Sequence, residues 1–261
     1  MLEVLKAVLL GIVQGLTEFF PISSSAHLRV LREVLDFKVE GLQFDVAVHL
    51  ATLLAVVIYF RREISALARG PHLVAMGGRL ALASAPLFIV GYLAGSYRES
   101  LSLWVPVVCW LFSGTYLLLL RGRTGKRSYE GLTSIQTLAI GVAQSAAFFP
   151  GMSRSGSTIA VGIFLGLERE AAAKFSFLLA IPAILGATAY SMLKLLTNPK
   201  GTEGLALAVG VAMPVSFAVG LVAIHWLLQI IRGDRFHRFG WYNLCAALLF
   251  ALYLVIESRP A

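Results

Sequence analysis

Charge is what this sequence has least of. Asp, Glu, Lys and Arg make up 14% of its 261 residues, against about 25% in soluble globular domains. With 58% apolar residues, the chain has too little polar surface to cover itself in water. A bilayer, in which lipid is the solvent, removes that requirement. Acidic residues are outnumbered, 14 against 22 basic ones. The net charge of +8 would suggest nucleic acid in a soluble chain. Here the basic residues cluster in the gaps between apolar runs, as orientation signals do, and neither an RNA-binding signature nor a zinc-ligand spacing accompanies them. No nucleic-acid partner is expected. Cysteine is scarce too. Cys109 and Cys245 sit inside apolar runs as small hydrophobes and indicate nothing about redox compartment. The first apolar stretch lacks a small-residue cleavage site and carries Glu18, so no cleavable signal peptide is expected there.

What is abundant is apolar length. Runs over Leu42–Tyr59, Leu80–Tyr97, Leu103–Leu120, Ala171–Leu196, Leu205–Ile231 and Tyr242–Ile256 are six candidate spans, since a span needs about 17–25 residues. Two further regions, Leu2–Leu35 and Thr133–Leu167, each hold a short apolar arm, a Pro with a Ser-rich turn, and a second short arm. The turns read FFPISSSAH at Phe19–His27 and FFPGMSRSGST at Phe148–Thr158. Arms this short predict re-entrant helical hairpins, because irregular polar backbone at membrane depth is tolerated only where it lines a protein cavity.

Lys and Arg concentrate in three loops: Arg61, Arg62, Arg69 and Arg79; Arg121, Arg123, Lys126 and Arg127; and Arg232, Arg235 and Arg238. The loops between hold only Arg98 and Lys200. Placing the basic loops in the cytoplasm gives consistent alternation and leaves both termini outside. Lys6, Arg29, Arg32 and Lys38 near the first hairpin run against that placement.

The two hairpins resemble each other. Gly11-Ile-Val-Gln14 recurs as Gly141-Val-Ala-Gln144, Phe19-Phe20-Pro21 recurs as Phe148-Phe149-Pro150, and Phe44…His49-Leu-Ala51 is loosely echoed by Phe175…Leu178-Leu-Ala180. Each half is then a hairpin followed by three spans. Three is odd, so the second half enters from the opposite side. The expected fold is an all-α polytopic membrane protein in a single domain, residues 1–261. It has six transmembrane helices and two re-entrant hairpins in an inverted-topology repeat, of about 1–120 and about 133–256, with the hairpin tips meeting near the middle.

The chemistry lies at the two turns. Gln14 and Glu18 are four apart and share a helix face. An ionisable residue in an apolar segment marks a functional site. Ser23, Ser24, Ser25 and His27 follow across the Pro turn. At least one of these serines is expected to serve as an ordinary helix cap. The second turn supplies Ser153, Arg154, Ser155, Ser157 and Thr158 with Gly151 and Gly156. An Arg between apolar arms needs an anion, and its planar fork suits phosphate. A helix starting near Ser155 would aim its N-terminal N–H groups at the same anion. Opposed, the two turns make a phosphate site with a nucleophile or base.

These residues carry a family resemblance. QGLTE at Gln14–Glu18, PISSSAH at Pro21–His27, PGMSRSGST at Pro150–Thr158 and FSFLLAIPA at Phe175–Ala183 resemble the signature motifs of the undecaprenyl-diphosphate phosphatase (bacitracin-resistance) family. The resemblance implies removal of the terminal phosphate from undecaprenyl diphosphate at the cell (inner) membrane. That step recycles the lipid carrier of peptidoglycan synthesis and gives bacitracin resistance. It implies that Glu18, Ser24, His27 and Arg154 are catalytic, that Gln14, Ser23, Ser153, Ser155, Gly156 and Thr158 bind substrate, and that Glu18 holds Mg²⁺ or Ca²⁺. Many members carry Glu where this chain has Gln14, and SSTGH where it has SSSAH.

Hydrolysis of a diphosphate needs charge neutralisation, an activated nucleophile and a held leaving group. Arg154 and the Ser155–Thr158 backbone would grip phosphate. Ser24 with His27 as base is the favoured nucleophile pair, with His27 itself or a cation-held water as alternatives. The prenyl tail would lie between helices in the bilayer, with the site opening to the extracytoplasmic side. The rival class is a lipid-phosphate transporter, which shares the broken-helix plan but has little need of Ser24 and His27 together. Small-residue runs in the spans allow close helix packing, within one chain or in a homodimer.

Overall fold

The computed structural model describes residues 2–37, 41–70, 73–98, 100–197 and 205–257. Lys38 and Lys200, used above for orientation, lie outside the described residues. Among those residues the secondary structure is helical throughout, with one isolated bridge between Arg127 and Leu167.

The chain begins with α1 (Leu2–Thr17), breaks at Pro21, and returns as α2 (Ser24–Leu35). Then come α3 (Gly41–Tyr59), the short α4 (Arg61–Arg69), α5 (Leu73–Ala94) and α6 (Trp104–Leu118). The second half opens in the same way, with α7 (Ser134–Ser145), a break at Pro150, and α8 (Arg154–Phe164). It continues with α9 (Arg169–Thr197), α10 (Leu205–Arg232) and α11 (Phe239–Glu257). Both breaks follow from chemistry. Proline lacks the N–H that a continuing helix needs, and it pushes the preceding residue out of the helical region. In α5, α9 and α10 the prolines Pro86, Pro182 and Pro214 sit inside intact helices, as membrane helices tolerate when neighbours re-satisfy the freed carbonyls.

Among the described residues, five helices are long and apolar enough to cross a membrane: Leu42–Tyr59, Leu73–Ala94, Arg169–Leu193, Ala206–Arg232 and Phe236–Glu257. The sixth expected span is a shorter apolar helix, Trp104–Leu118. Its 15 residues rise about 22 Å. Two boundaries differ from expectation. α5 starts seven residues before Leu80, so Arg79 lies within a helix and not in a loop. Its guanidinium donates to the carbonyls of Glu130 (2.7 Å) and Leu132 (3.4 Å), which satisfies the charge without ending the helix. The last helix begins at Phe239, earlier than the Tyr242 expected.

The helix pairing has an internal order. α1 lies along α10, and α7 lies along α5. α3 packs on α10 and α9, and α9 packs on α5 and α8. α6 pairs with α11. Exchanging the first run of helices for the second maps α1–α10 onto α7–α5 and α3–α10 onto α9–α5, whereas among the described residues the α8–α9 pairing has no comparable counterpart between α2 and α3. The glycines make the same point atom by atom. A Cβ on Gly11 would stand 2.8 Å from the Ala212 carbonyl oxygen, and one on Gly141 would stand 2.6 Å from that of Ala83. At the α6–α11 crossing, Gly114 and Gly240 each face the other's carbonyl, at 2.9 and 2.6 Å from an added Cβ. Such close approach is how helices associate where lipid is as apolar as the side chains. The largest buried cluster, with Phe19, Phe60, Phe175, Phe177 and Ile224, joins the first turn to α3, α9 and α10. It also takes in Ile159, Ala160 and Ile163 of α8, the arm that follows the second break.

Candidate active site

Glu18 ends the first arm one residue beyond α1 and is 8% exposed. The backbone there is closed by Glu18 N–H donating to the Gln14 carbonyl at 3.0 Å. Across the second break, α8 begins with Arg154, capped by Ser153, whose Oγ accepts from the Gly156 N–H at 3.1 Å. The two breaks touch. Arg154 donates an N–H to Glu18 Oε1 at 2.8 Å, and Ser24 Oγ donates to Glu18 Oε2 at 2.8 Å. The Gly151 N–H donates to Ser23 Oγ at 3.0 Å, while Ser153 and Ser155 both reach the Phe20 carbonyl at 3.3 Å. Gln14 Nε2 donates to Glu18 Oε2 at 3.3 Å.

Two backbone features show how tightly the tips are drawn together. Ser23 adopts φ 69°, a conformation that costs a non-glycine residue of order 1–3 kcal/mol and persists only where its surroundings impose it. Gly151 has φ +101°, and a Cβ there would lie 2.6 Å from Cys109 Cβ and 2.7 Å from the Pro106 carbonyl oxygen. Only glycine serves at that position.

The expected residues are not all aimed at Glu18. His27 turns away from Ser24. Its Nδ1 lies 2.7 Å from the Ser23 carbonyl and its Nε2 lies 2.7 Å from the Tyr242 hydroxyl. A carbonyl only accepts, so Nδ1 carries a proton, and in the neutral ring Nε2 accepts from Tyr242. Thr158 turns to α9, where its hydroxyl meets Ser176 Oγ at 2.6 Å. The Ser176 carbonyl in turn accepts from Arg154 at 3.3 Å, so Thr158 bears on the arginine through Ser176. Gly156 faces Pro21 Cβ, 3.0 Å from an added Cβ.

Several neighbours were not expected from the sequence. His49 Nε2 lies 3.6 Å from Glu18 Oε2, and His49 Nδ1 lies 2.7 Å from the Asp45 carbonyl. Its signal was in plain view, since it too is an ionisable residue in an apolar span. Trp110 Nε1 donates to the Ile22 carbonyl at 2.9 Å, and Asn243 Nδ2 donates to that of Pro21 at 3.0 Å. Both hold the first turn from α6 and α11.

With this geometry in view, the comparisons with known proteins are decisive. The family profile described as "Bacitracin resistance protein BacA" matches residues 7–249. The chain belongs to this family. A protein of Rubrobacter xylanophilus named "Undecaprenyl-diphosphatase" is 40% identical, over 98% of this chain and 100% of its own. Proteins of the same name from Corynebacterium glutamicum strain ATCC 13032 and from Micrococcus luteus are each 38% identical, over 96% and 95% of this chain and 90% and 96% of their own. With its long apolar helices, this member of the BacA family is a multi-pass membrane protein.

The site also bears on a divalent cation. Among the described residues no three His, Cys, Asp or Glu side chains group as a metal site. Glu18 is the one carboxylate at the tips, and Arg154 already faces it. Gln14 Oε1, however, is buried with no hydrogen-bond partner. Gln14 turns its Nε2 and not this oxygen to Glu18, so a turn of the amide would bring a carboxylate and a neutral oxygen together, a donor pair that suits a hard cation completing its shell from substrate phosphates.

Proposed function

We propose that this chain is an integral membrane phosphatase that hydrolyses undecaprenyl diphosphate to undecaprenyl phosphate and inorganic phosphate, recycling the lipid carrier for cell-wall synthesis and giving bacitracin resistance. The observation that carries this reading is the contact of Arg154, Glu18 and Ser24 across the two breaks, at 2.8 Å in each case. It brings an anion-binding cation, a carboxylate and a hydroxyl to one point between apolar helices, in a member of a family whose relatives carry that enzyme's name.

In this reading Arg154 leaves Glu18 for the terminal phosphate, and the N–H groups at the start of α8 add to its grip. Ser24 attacks phosphorus. A new P–O bond forms at Ser24, and the bond to the bridging oxygen breaks. Undecaprenyl phosphate departs, and water then frees inorganic phosphate. The Ser24 proton passes to Glu18, to which the hydroxyl is already bonded, in preference to His27, which faces Tyr242. His27 holds the Ser23 turn through its bonds to the Ser23 carbonyl and the Tyr242 hydroxyl. Glu18 and Gln14 would hold a Mg²⁺ or Ca²⁺ that, when bound, neutralises phosphate charge. The assay is phosphate release from purified protein given undecaprenyl diphosphate. Wild-type release that vanishes in Arg154→Ala and falls sharply in Ser24→Ala supports the reading, and no release with any divalent cation defeats it.

The architecture belongs to the same proposal. Arms of 12 residues in α2 and α7 and 11 in α8 rise about 17–18 Å, too little to cross a core of about 30 Å. Two re-entrant hairpins with six spans are the reading we adopt: α1, of 16 residues, stops short of the Pro21 turn, and α6, of 15, is counted as a span with its apolar flanks Leu103 and Leu119–Leu120. The paired contacts of α1–α10 with α7–α5 and of α3–α10 with α9–α5 support an inverted repeat of about 1–120 and about 133–256. The basic loops after α3, α6 and α10 would face the cytoplasm of the cell (inner) membrane, and the site would open outward.

A further inference from the structure

At the end of the bundle where α3 passes into α4, two open surface depressions adjoin, and no residue of the two breaks lines either. One, of about 460 Å³, is lined by Arg61, Arg62, Ser65, Ala66 and Arg69. The other, of about 630 Å³, is lined by Ile58, Tyr59, Leu221, Val222, His225 and Trp226, and by Arg61 as well. Arg61 thus joins a basic cavity to an apolar one. Among the described residues, none of the three arginines has a carboxylate within ion-pair distance. Nearby Glu170 is held by Arg232 at 2.7 and 2.8 Å and by Lys174 at 3.0 Å. Glu63 is the one acid in α4.

Chemistry along the groove changes in steps. His225 and Trp226 are exposed on α10, a helix apolar enough to span. An ionisable group in such a helix ordinarily faces the bundle interior, so an outward histidine asks for a reason. Gln229 Nε2 lies 2.9 Å from His225 Nε2, and His225 Nδ1 lies 3.4 Å from the Tyr59 hydroxyl. If Gln229 donates to Nε2, the neutral ring donates from Nδ1, and the Tyr59 O–H is left to donate elsewhere. Gln229, His225 and Leu221 follow one another at helical turns, about 6 Å apart. The order is guanidinium, then hydrogen-bond groups, then apolar wall.

We propose that this groove binds an anionic glycerophospholipid. The phosphate sits on Arg61 and Arg62, an ester carbonyl accepts from Tyr59 near His225 and Gln229, and one acyl chain covers Leu221, Val222 and Trp226. Basic pockets between membrane helices take acidic head groups in this way. A zwitterionic lipid would bring its ammonium toward the same arginines and is disfavoured.

The test is native mass spectrometry of the full chain, delipidated in mild detergent and offered equal phosphatidylglycerol and phosphatidylcholine with identical acyl chains. At least about fivefold preference for phosphatidylglycerol is expected, a difference of about 1 kcal/mol. Arg61→Gln with Arg62→Gln should abolish the preference. Tyr59→Phe should lower retention of both lipids, and Arg235→Gln with Arg238→Gln, on a different basic loop, should change nothing. Equal retention of the two lipids overturns the proposal. So does an equal loss from the Arg235 and Arg238 pair, which would mean a diffuse charge effect. Displacement of phosphatidylglycerol by an equimolar polyprenyl monophosphate would overturn the occupant and assign the groove to carrier lipid instead.

Discussion

Removing Arg154 separates its structural role from its part in the reaction. Arg154 and Glu18 are 10% and 7% exposed at their side chains and 2.8 Å apart. Arg154→Ala leaves the Glu18 carboxylate buried with only Ser24, Gln14 and His49 beside it. Breaking a buried pair from one side costs about 3–5 kcal/mol, chiefly because the remaining charge is uncompensated. Ser24 and Gln14 still donate to Glu18, so the expected loss lies at the lower end, about 3 kcal/mol. Arg154→Ala combined with Glu18→Gln removes that charge and should recover at least about half of the loss. Activity behaves otherwise. Arg154 faces phosphate in both ground and transition states, so Arg154→Ala should weaken substrate binding and turnover together, and Glu18→Gln should restore neither. The assays are unfolding in mixed micelles for stability and phosphate release from undecaprenyl diphosphate for function. If Arg154→Ala is as stable as the parent, the two breaks do not meet through this pair. If the double variant regains hydrolysis, Arg154 serves only to neutralise Glu18 and does not hold phosphate.

Ser24→Ala should lower kcat by at least about 10²-fold while substrate binding changes only a few-fold; near-normal hydrolysis would point to direct attack by water. Tyr242→Phe removes one hydrogen bond from His27 and should cost no more than about tenfold in kcat, a net bond of about 1 kcal/mol, whereas a loss as deep as that of His27→Ala would make Tyr242 part of the chemistry. Gly151→Ala adds a Cβ 2.6 Å from Cys109 Cβ at φ +101°, and should destabilise the protein by at least about 2 kcal/mol, read by thermal unfolding in detergent. Excess chelator should abolish phosphate release if Glu18 and Gln14 hold a divalent cation, and full activity in chelator would remove the cation from the proposal.

Much of the fold was legible because the bilayer makes apolar length a direct readout. Pro21 and Pro150 marked both breaks, and each break falls where a proline removes a helix donor. The boundaries were less legible, for a reason that Arg79 illustrates. A charge reads as the end of a span, yet Arg79 continues α5 because the Glu130 and Leu132 carbonyls, 51 and 53 residues away, accept its N–H groups. Partners that distant in sequence leave no trace in a local pattern. Trp104–Leu118 shows the same limit, since composition over Leu103–Leu120 was apolar enough while the helix itself stops short.

The candidate site was legible in its residue types and opaque in its pairings. A Glu in an apolar arm and an Arg in a glycine turn each announce a need for a partner, and they meet each other across 136 residues. What each hydroxyl and ring nitrogen does was not legible, because rotamers and neighbouring carbonyls decide it. His27 was the natural base for Ser24 by proximity in sequence, three residues on and on a neighbouring helix position, but its ring turns back to the Ser23 carbonyl and out to Tyr242 instead. His49 carried the same signal as Glu18, an ionisable group in a span, and sits 3.6 Å from it. Its Nδ1 is committed to the Asp45 carbonyl, so Nε2 is the atom that meets Glu18, and a cation, a proton or a donor must lie between them for the contact to be favourable. His49→Leu should therefore change the behaviour of Glu18 before it changes the fold. The expected result is a loss of turnover with stability within about 1 kcal/mol of the parent, since a half-buried imidazole contributes little packing. A variant that hydrolyses normally would confine His49 to the wall of the site.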